Sequence, residues 1–173
     1  MKQGEKGFSY VELVIALAII SLIGGAASMA TFQVFKGTER NNDHMTAVRQ
    51  VQNAGYWISR DTKMAQSVAV DNLTLPDFLV LSWTEATSGN EYQITYTLEN
   101  MPDSELQKLQ RSQSINGGTS ATTFVAQHIN PDTQKTKCEF TNGTLTLTVT
   151  ATVGGGSLTE SETRVYKVIP RPS

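Results

Sequence analysis

The amino-acid sequence predicts an α+β fold in which a long N-terminal helix packs on an antiparallel β-sheet. Three observations carry this expectation. Leu13 to Phe35 are twenty-three consecutive residues without a charge, headed by a lone glutamate, Glu12. Apolar or small residues then recur in steps of three and four from Met45 to Ala65. From Pro76 onward the period changes to two, the spacing of a strand with one buried face.

The charge-free segment comes first. At ~1.5 Å per residue it reaches ~34 Å, enough to cross a ~30 Å hydrocarbon core. A secretory signal peptide is one alternative, with Lys2 and Lys6 as its basic region and Ser28-Met29-Ala30 as a small-residue cleavage site. Its apolar core would normally be only ~7–15 residues and would carry no glutamate at its head. A plain transmembrane anchor accounts for the length but leaves Glu12 unexplained, because a carboxylate near the hydrocarbon centre costs ~2.5–3.5 kcal/mol. Gly24-Gly25 marks either a loosened point in this helix or the glycine that membrane helices commonly contain.

The second half of the helix is amphipathic. Asn41-Asn42-Asp43 offers an N-cap. Met45, Val48, Val51, Gly55, Ile58, Thr62 and Ala65 then form one stripe, with Arg49, Gln50, Arg60 and Lys63 turned elsewhere. The pattern predicts a helix from about Asn42 to Val68, continuous or nearly so with the apolar segment.

Phe78–Trp83 reads as a buried strand, and Tyr92, Ile94, Tyr96 and Leu98 alternate with polar residues as a half-buried one. Thr122–Ile129 is a further strand. Asn142-Gly143 suits a two-residue type I′ turn, which pairs Thr141 with Thr144, Phe140 with Leu145 and Cys138 with Leu147. This register puts three apolar side chains and the thiol on one face. Gly154-Gly155-Gly156 precedes a last strand near Arg164–Ile169, ended by Pro170 and Pro172. Met101–Arg111 fits a helical turn or a strand equally well.

Composition narrows the function. The 173 residues suffice for one domain plus an anchor. The net charge is −2, which gives no electrostatic footprint for nucleic acid, so no such partner is expected. The basic residues Lys2 and Lys6 place the N-terminus in the cytoplasm by the positive-inside rule, with the chain beyond Lys36 outside. Cys138 is the single cysteine, so no internal disulfide can form. No enzyme, metal or cofactor signature stands out. His44 and His128 lack a second ligand at metal spacing, and no G-x-S-x-G frames a nucleophile. Cys138 has the parity of a small core residue. Asp71, Asn72 and Asp77 lack the spacing of a calcium loop.

The first quarter of the chain resembles the prepilin signature of type IV pilins and the pseudopilins of type II secretion. The short basic leader Met1–Gly7, the Gly7-Phe8 junction, Glu12 as fifth residue after it, and GFSYVELVIALAII carry the likeness. The resemblance implies cleavage by prepilin peptidase between Gly7 and Phe8, N-methylation of Phe8, and a role for Glu12 in subunit assembly. It divides the chain into a leader (1–7), a hydrophobic helix for membrane or filament core (8–35), an amphipathic helix (36–70) and a sheet domain (71–173). The implied partners are other pilin or pseudopilin subunits, the peptidase, the inner-membrane assembly platform and, before assembly, the membrane. The implied location is a single-pass inner-membrane protein with an extracytoplasmic C-terminal domain, then a pilus or pseudopilus. The order of elements after the helix is similar to J-type minor pseudopilins and large minor pilins. Many major pilins have a C-terminal disulfide, which this chain lacks. Two other function classes remain open at this stage: a pilus-mounted adhesin or substrate-binding subunit, and an unrelated membrane-anchored extracytoplasmic domain.

Overall fold

Among the described residues of the computed structural model (9–70, 76–102, 104–156 and 159–172), one helix is followed by eight strands. Helix α1 covers Tyr10–Met64 without a break, through Gly24-Gly25 and through Asn41-Asn42-Asp43. The expected N-cap at Asn42 is therefore not used. A helix already nucleated upstream needs no second, costly start, and the Asn42 carbonyl instead accepts a bond from Thr46 Oγ1 at 2.9 Å. The chain divides into two compact units, with the boundary between Asn41 and Asn42.

In the second unit α1 stops at Met64, short of the expected Val68. Ala65 N–H is shared between the Asp61 and Thr62 carbonyls. Gln66 N–H then turns to the Ser82 carbonyl at 2.9 Å, and Ser67–Ala69 become strand β1. The buried face of α1 is Ala47, Val51, Ala54, Gly55, Ile58, Asp61 and Thr62, with Ala65 just beyond. The expected stripe shares Val51, Gly55, Ile58, Thr62 and Ala65 with it, but Met45 is 45% exposed. Small residues at 47, 54 and 55 let the sheet approach, so the contact face is rotated from the most hydrophobic one. Thr62 Oγ1 is buried with no hydrogen-bond partner among the described residues.

The sheet is antiparallel and curled. β2 (Asp77–Thr84), β3 (Glu91–Asn100), β4 (Gln107–Ile115) and β5 (Ala121–Ile129) follow β1 as neighbours. The undecided stretch thus contributes a strand, β4, whose Leu109 and Arg111 are buried. β6 (Lys137–Thr141) and β7 (Thr144–Val153) form the expected hairpin, in the expected register throughout. Asn142 and Gly143 both have positive φ, 52° and 74°, as a type I′ turn requires. Leu145 and Leu147 enter the core, while Phe140, on the same face near the hairpin tip, is 38% exposed. β8 (Glu160–Val168) pairs with β7 along its length, so β6 and the end of β5 share the other edge of β7. After β8, Arg171 N–H donates to the Ala65 carbonyl at 3.1 Å.

Strand β5 carries irregularities that bend it. Its register to β4 shifts between Gln107 and Leu109 and again between Leu109 and Gln110. His128 sits at φ 59°, a left-handed conformation rare for a non-glycine residue. The Gln127 N–H, freed from the ladder there, is taken up by Gln50 Oε1 of α1 at 2.9 Å. Helix and bulge are thereby tied.

Gly55 explains how closely α1 and β8 meet. The Tyr166 ring occupies the space where a Cβ on residue 55 would stand, and its hydroxyl donates to the Val51 carbonyl at 3.1 Å. Glycine inside a helix costs ~1 kcal/mol relative to alanine, and here the absent methyl group makes room for an aromatic ring. A fragment starting at Lys36 keeps the whole second unit and is expected to be soluble and to unfold cooperatively in urea. In that fragment Gly55→Ala should lower stability by ~1–3 kcal/mol through overpacking, despite its better helix propensity. Stability equal to or above the parent would show that the ring does not need this gap.

Candidate functional site

Two places on the chain combine unusual chemistry with defined geometry. One is the apolar start of α1. Glu12 lies in its first turn, exposed to solvent, where a carboxylate complements the helix dipole. The Ser9 carbonyl accepts the first helical bonds, from Glu12 N–H at 3.0 Å and Leu13 N–H at 3.1 Å. Ser9 and Glu12 therefore stand at the spacing of a capping box, a signal present in the sequence beside the prepilin-like motif. Gly7 and Phe8, the other two expected site residues, lie outside the described residues.

From Leu13 to Phe35 every side chain of this helix is exposed. Ile20 at 65%, Leu22 at 76% and Phe32 at 68% illustrate how far. The helix is long and apolar enough to cross a membrane. The hydroxyls within it are turned inward on their own backbone. Ser21 donates to the Leu17 carbonyl at 2.8 Å, Ser28 to Gly24 at 2.9 Å and Thr31 to Ala27 at 2.9 Å. Each is thus satisfied without water, which a hydrocarbon setting demands.

The other place is a buried charge cluster between α1 and the sheet. Asp61 is 1% exposed. Its Oδ2 accepts from Arg111 Nε of β4 at 2.5 Å and from the Tyr96 hydroxyl of β3 at 2.7 Å. Its Oδ1 accepts from Arg60 Nη2 at 3.1 Å and Nε at 3.2 Å. The Arg60 and Arg111 guanidinium carbons lie over the Trp57 ring, 4.1 Å and 5.4 Å from its centroid. Arg111 Nη1 also donates to Gln113 Oε1 at 3.1 Å. Burial, reinforced by the Asp61 charge and hydrogen bond, pushes the Tyr96 phenol far above its ordinary pKa, so it remains a donor. Each carboxylate oxygen of Asp61 thus accepts from two donor atoms.

The other candidates do not converge on a site. His44 is exposed and His128 stands in the β5 bulge. Burial alone drives the Cys138 thiol well above its ordinary pKa, which withholds the reactive thiolate. Asp77 begins β2 half-buried, while Asp71 and Asn72 lie outside the described residues. Among the described residues no three His, Cys, Asp or Glu side chains come together as a metal site. Trp83 is stacked on Tyr92 at 5.3 Å between centroids, and Tyr56 is 62% exposed. The Asp61 cluster was invisible to the hydrophobic stripe, which passes over an acidic residue. Its position three residues after Ile58 and four before Ala65 was the available signal.

The cluster generates a stability test. Replacing Arg111 by Met in the Lys36 fragment leaves a buried carboxylate short of its closest donor. Breaking comparable buried pairs costs ~3–5 kcal/mol, so urea unfolding of Arg111→Met should shift by that order. A shift below ~1 kcal/mol would mean that Arg60 and Tyr96 hold Asp61 unaided. No model of a known protein family, no functionally curated protein and no solved structure matches this chain.

Proposed function

We propose that this chain is a minor pilin or pseudopilin, a structural subunit that enters a helical filament through α1. The observation that carries the proposal is the uncharged, wholly exposed run Leu13–Phe35 with Glu12 in the first turn of the same helix. So long an apolar surface needs a cover. The bilayer supplies one before assembly, with Lys2 and Lys6 on the cytoplasmic side, and the helices of neighbouring subunits supply one afterwards. Prepilin peptidase would cut between Gly7 and Phe8 and methylate the new Phe8 amine. That ammonium and Glu12 are each costly alone in a low-dielectric bundle and tolerable as a pair. Glu12 of one subunit, facing the Phe8 amine of the next, would then set the stagger between helices.

Intact-mass or N-terminal analysis of the membrane-extracted protein should find N-methylated Phe8 as the first residue. A mature start at Thr31 would instead reveal signal-peptidase cleavage and overturn the reading. Glu12→Ala should be cleaved and retained in the membrane, since it only removes a costly polar group there. In the filament it leaves an unpaired ammonium worth ~3–5 kcal/mol, so sheared filaments should contain little of it, with Glu12→Asp in between. Normal incorporation of the alanine variant would remove Glu12 from the assembly mechanism.

A further inference from the structure

Between α1 and β8 runs an open groove of about 590 Å³, wholly within the second unit. Tyr56, Arg60 and Lys63 of α1 form one wall, Gly55 and Tyr166 the floor, and Arg164 of β8 the other side. Three of these side chains are cationic, and no acidic residue is among the described residues that line the groove. The rest of the lining is Gln52, Gly55, Ser59, Met64 and two tyrosines, of which Tyr56 is exposed.

The strand beside the groove has an open edge. β8 pairs with β7 on one side, and among the described residues no strand pairs with the other. In an antiparallel ladder, alternate residues of such an edge strand point N–H and C=O outward, ready to accept another strand. A free strand edge flanked by a helix is the geometry of β-strand addition, in which backbone bonds give affinity and flanking side chains give selectivity. The α1 wall from Gln52 to Met64 is ~18 Å long at helical rise. That is about the length of five residues of extended chain.

We propose that this groove is a docking site for an extended, acidic peptide segment of another protein, which adds to the free edge of β8 between Arg164 and Val168. Charge complementarity identifies the occupant. Arg164 is held by Glu162 through its Nε at 3.1 Å and Arg60 by Asp61, so both are fixed in position with a carboxylate already beside them, and Lys63 is the cation that an incoming acid would meet first. Lys63 lies exposed on the helix opposite. Side chains of one parity on the added strand would meet these cations and the other parity would face solvent. This site does not depend on the filament reading, since it uses no residue of the apolar segment.

Selection of a random decapeptide display library on the full chain in detergent micelles tests the proposal. Enriched peptides should carry Asp or Glu at alternate positions among β-branched residues. Synthetic versions should bind at least ten-fold more weakly when the acids become amides, when alternate backbone nitrogens are methylated, or when the protein carries Lys63→Glu. Arg164→Gln should weaken them too, with the thermal transition of both variants unchanged. The proposal is overturned by the absence of enrichment, by enrichment without acidic bias, or by binding indifferent to N-methylation or to Lys63→Glu. Self-association lost in Lys63→Glu, with no peptide enriched, would assign the groove to a second copy and overturn it likewise.

Discussion

A carboxylate buried beneath a helix fixes how that helix meets its sheet. Asp61 gathers donors from three elements: Arg60 on its own helix, Tyr96 on β3 and Arg111 on β4. Apolar packing alone would tolerate small slides of α1 along the sheet, because dispersion contacts are non-directional. Hydrogen bonds to a desolvated charge do not tolerate them, since a displaced donor leaves an unmet charge behind. The Tyr166 ring over Gly55 acts alongside it, through shape in place of charge. Together these contacts define one position for α1 in the second unit, and the curl of the sheet and the bulge tied to Gln50 follow around it.

The same helix answers to two different surroundings. In its first unit the side chains from Leu13 to Phe35 are exposed, and the serine and threonine hydroxyls close on backbone carbonyls. In its second unit small residues, one glycine and one carboxylate meet the sheet. The overall hydrophobicity of the stripe matters less there than its shape. This contrast accounts for a change in composition at about Lys36 while the backbone ladder continues unchanged.

Much of this was legible in the chain. The period change at Pro76, the Asn142-Gly143 turn and the uncharged segment each correspond to a local rule, and the hairpin register could be written residue by residue. The misses have long-range causes. Ser67–Ala69 leaves the helix because β2 recruits it. β4 is a strand because β3 and β5 lie on either side of it, although Leu106 and Leu109 also suit a helical turn. Asp61 is not marked by any local pattern, because two of its three donor residues, Tyr96 and Arg111, stand 35 and 50 positions away. The β8–α1 groove likewise depends on elements at opposite ends of the domain.

The Tyr166 contact has a consequence in time. Its hydroxyl reaches a carbonyl 115 residues earlier in the chain. At a synthesis rate of ~5–20 residues per second, roughly 6–23 s separate the two partners as they leave the ribosome. Until β8 emerges, the glycine notch at residue 55 has nothing to fill it and the Ala65 carbonyl lacks the N–H of Arg171. The nascent domain therefore reaches its final compaction only when its last strand has been delivered. A chain ending before Tyr166 would leave the helix with an unfilled seam along this side.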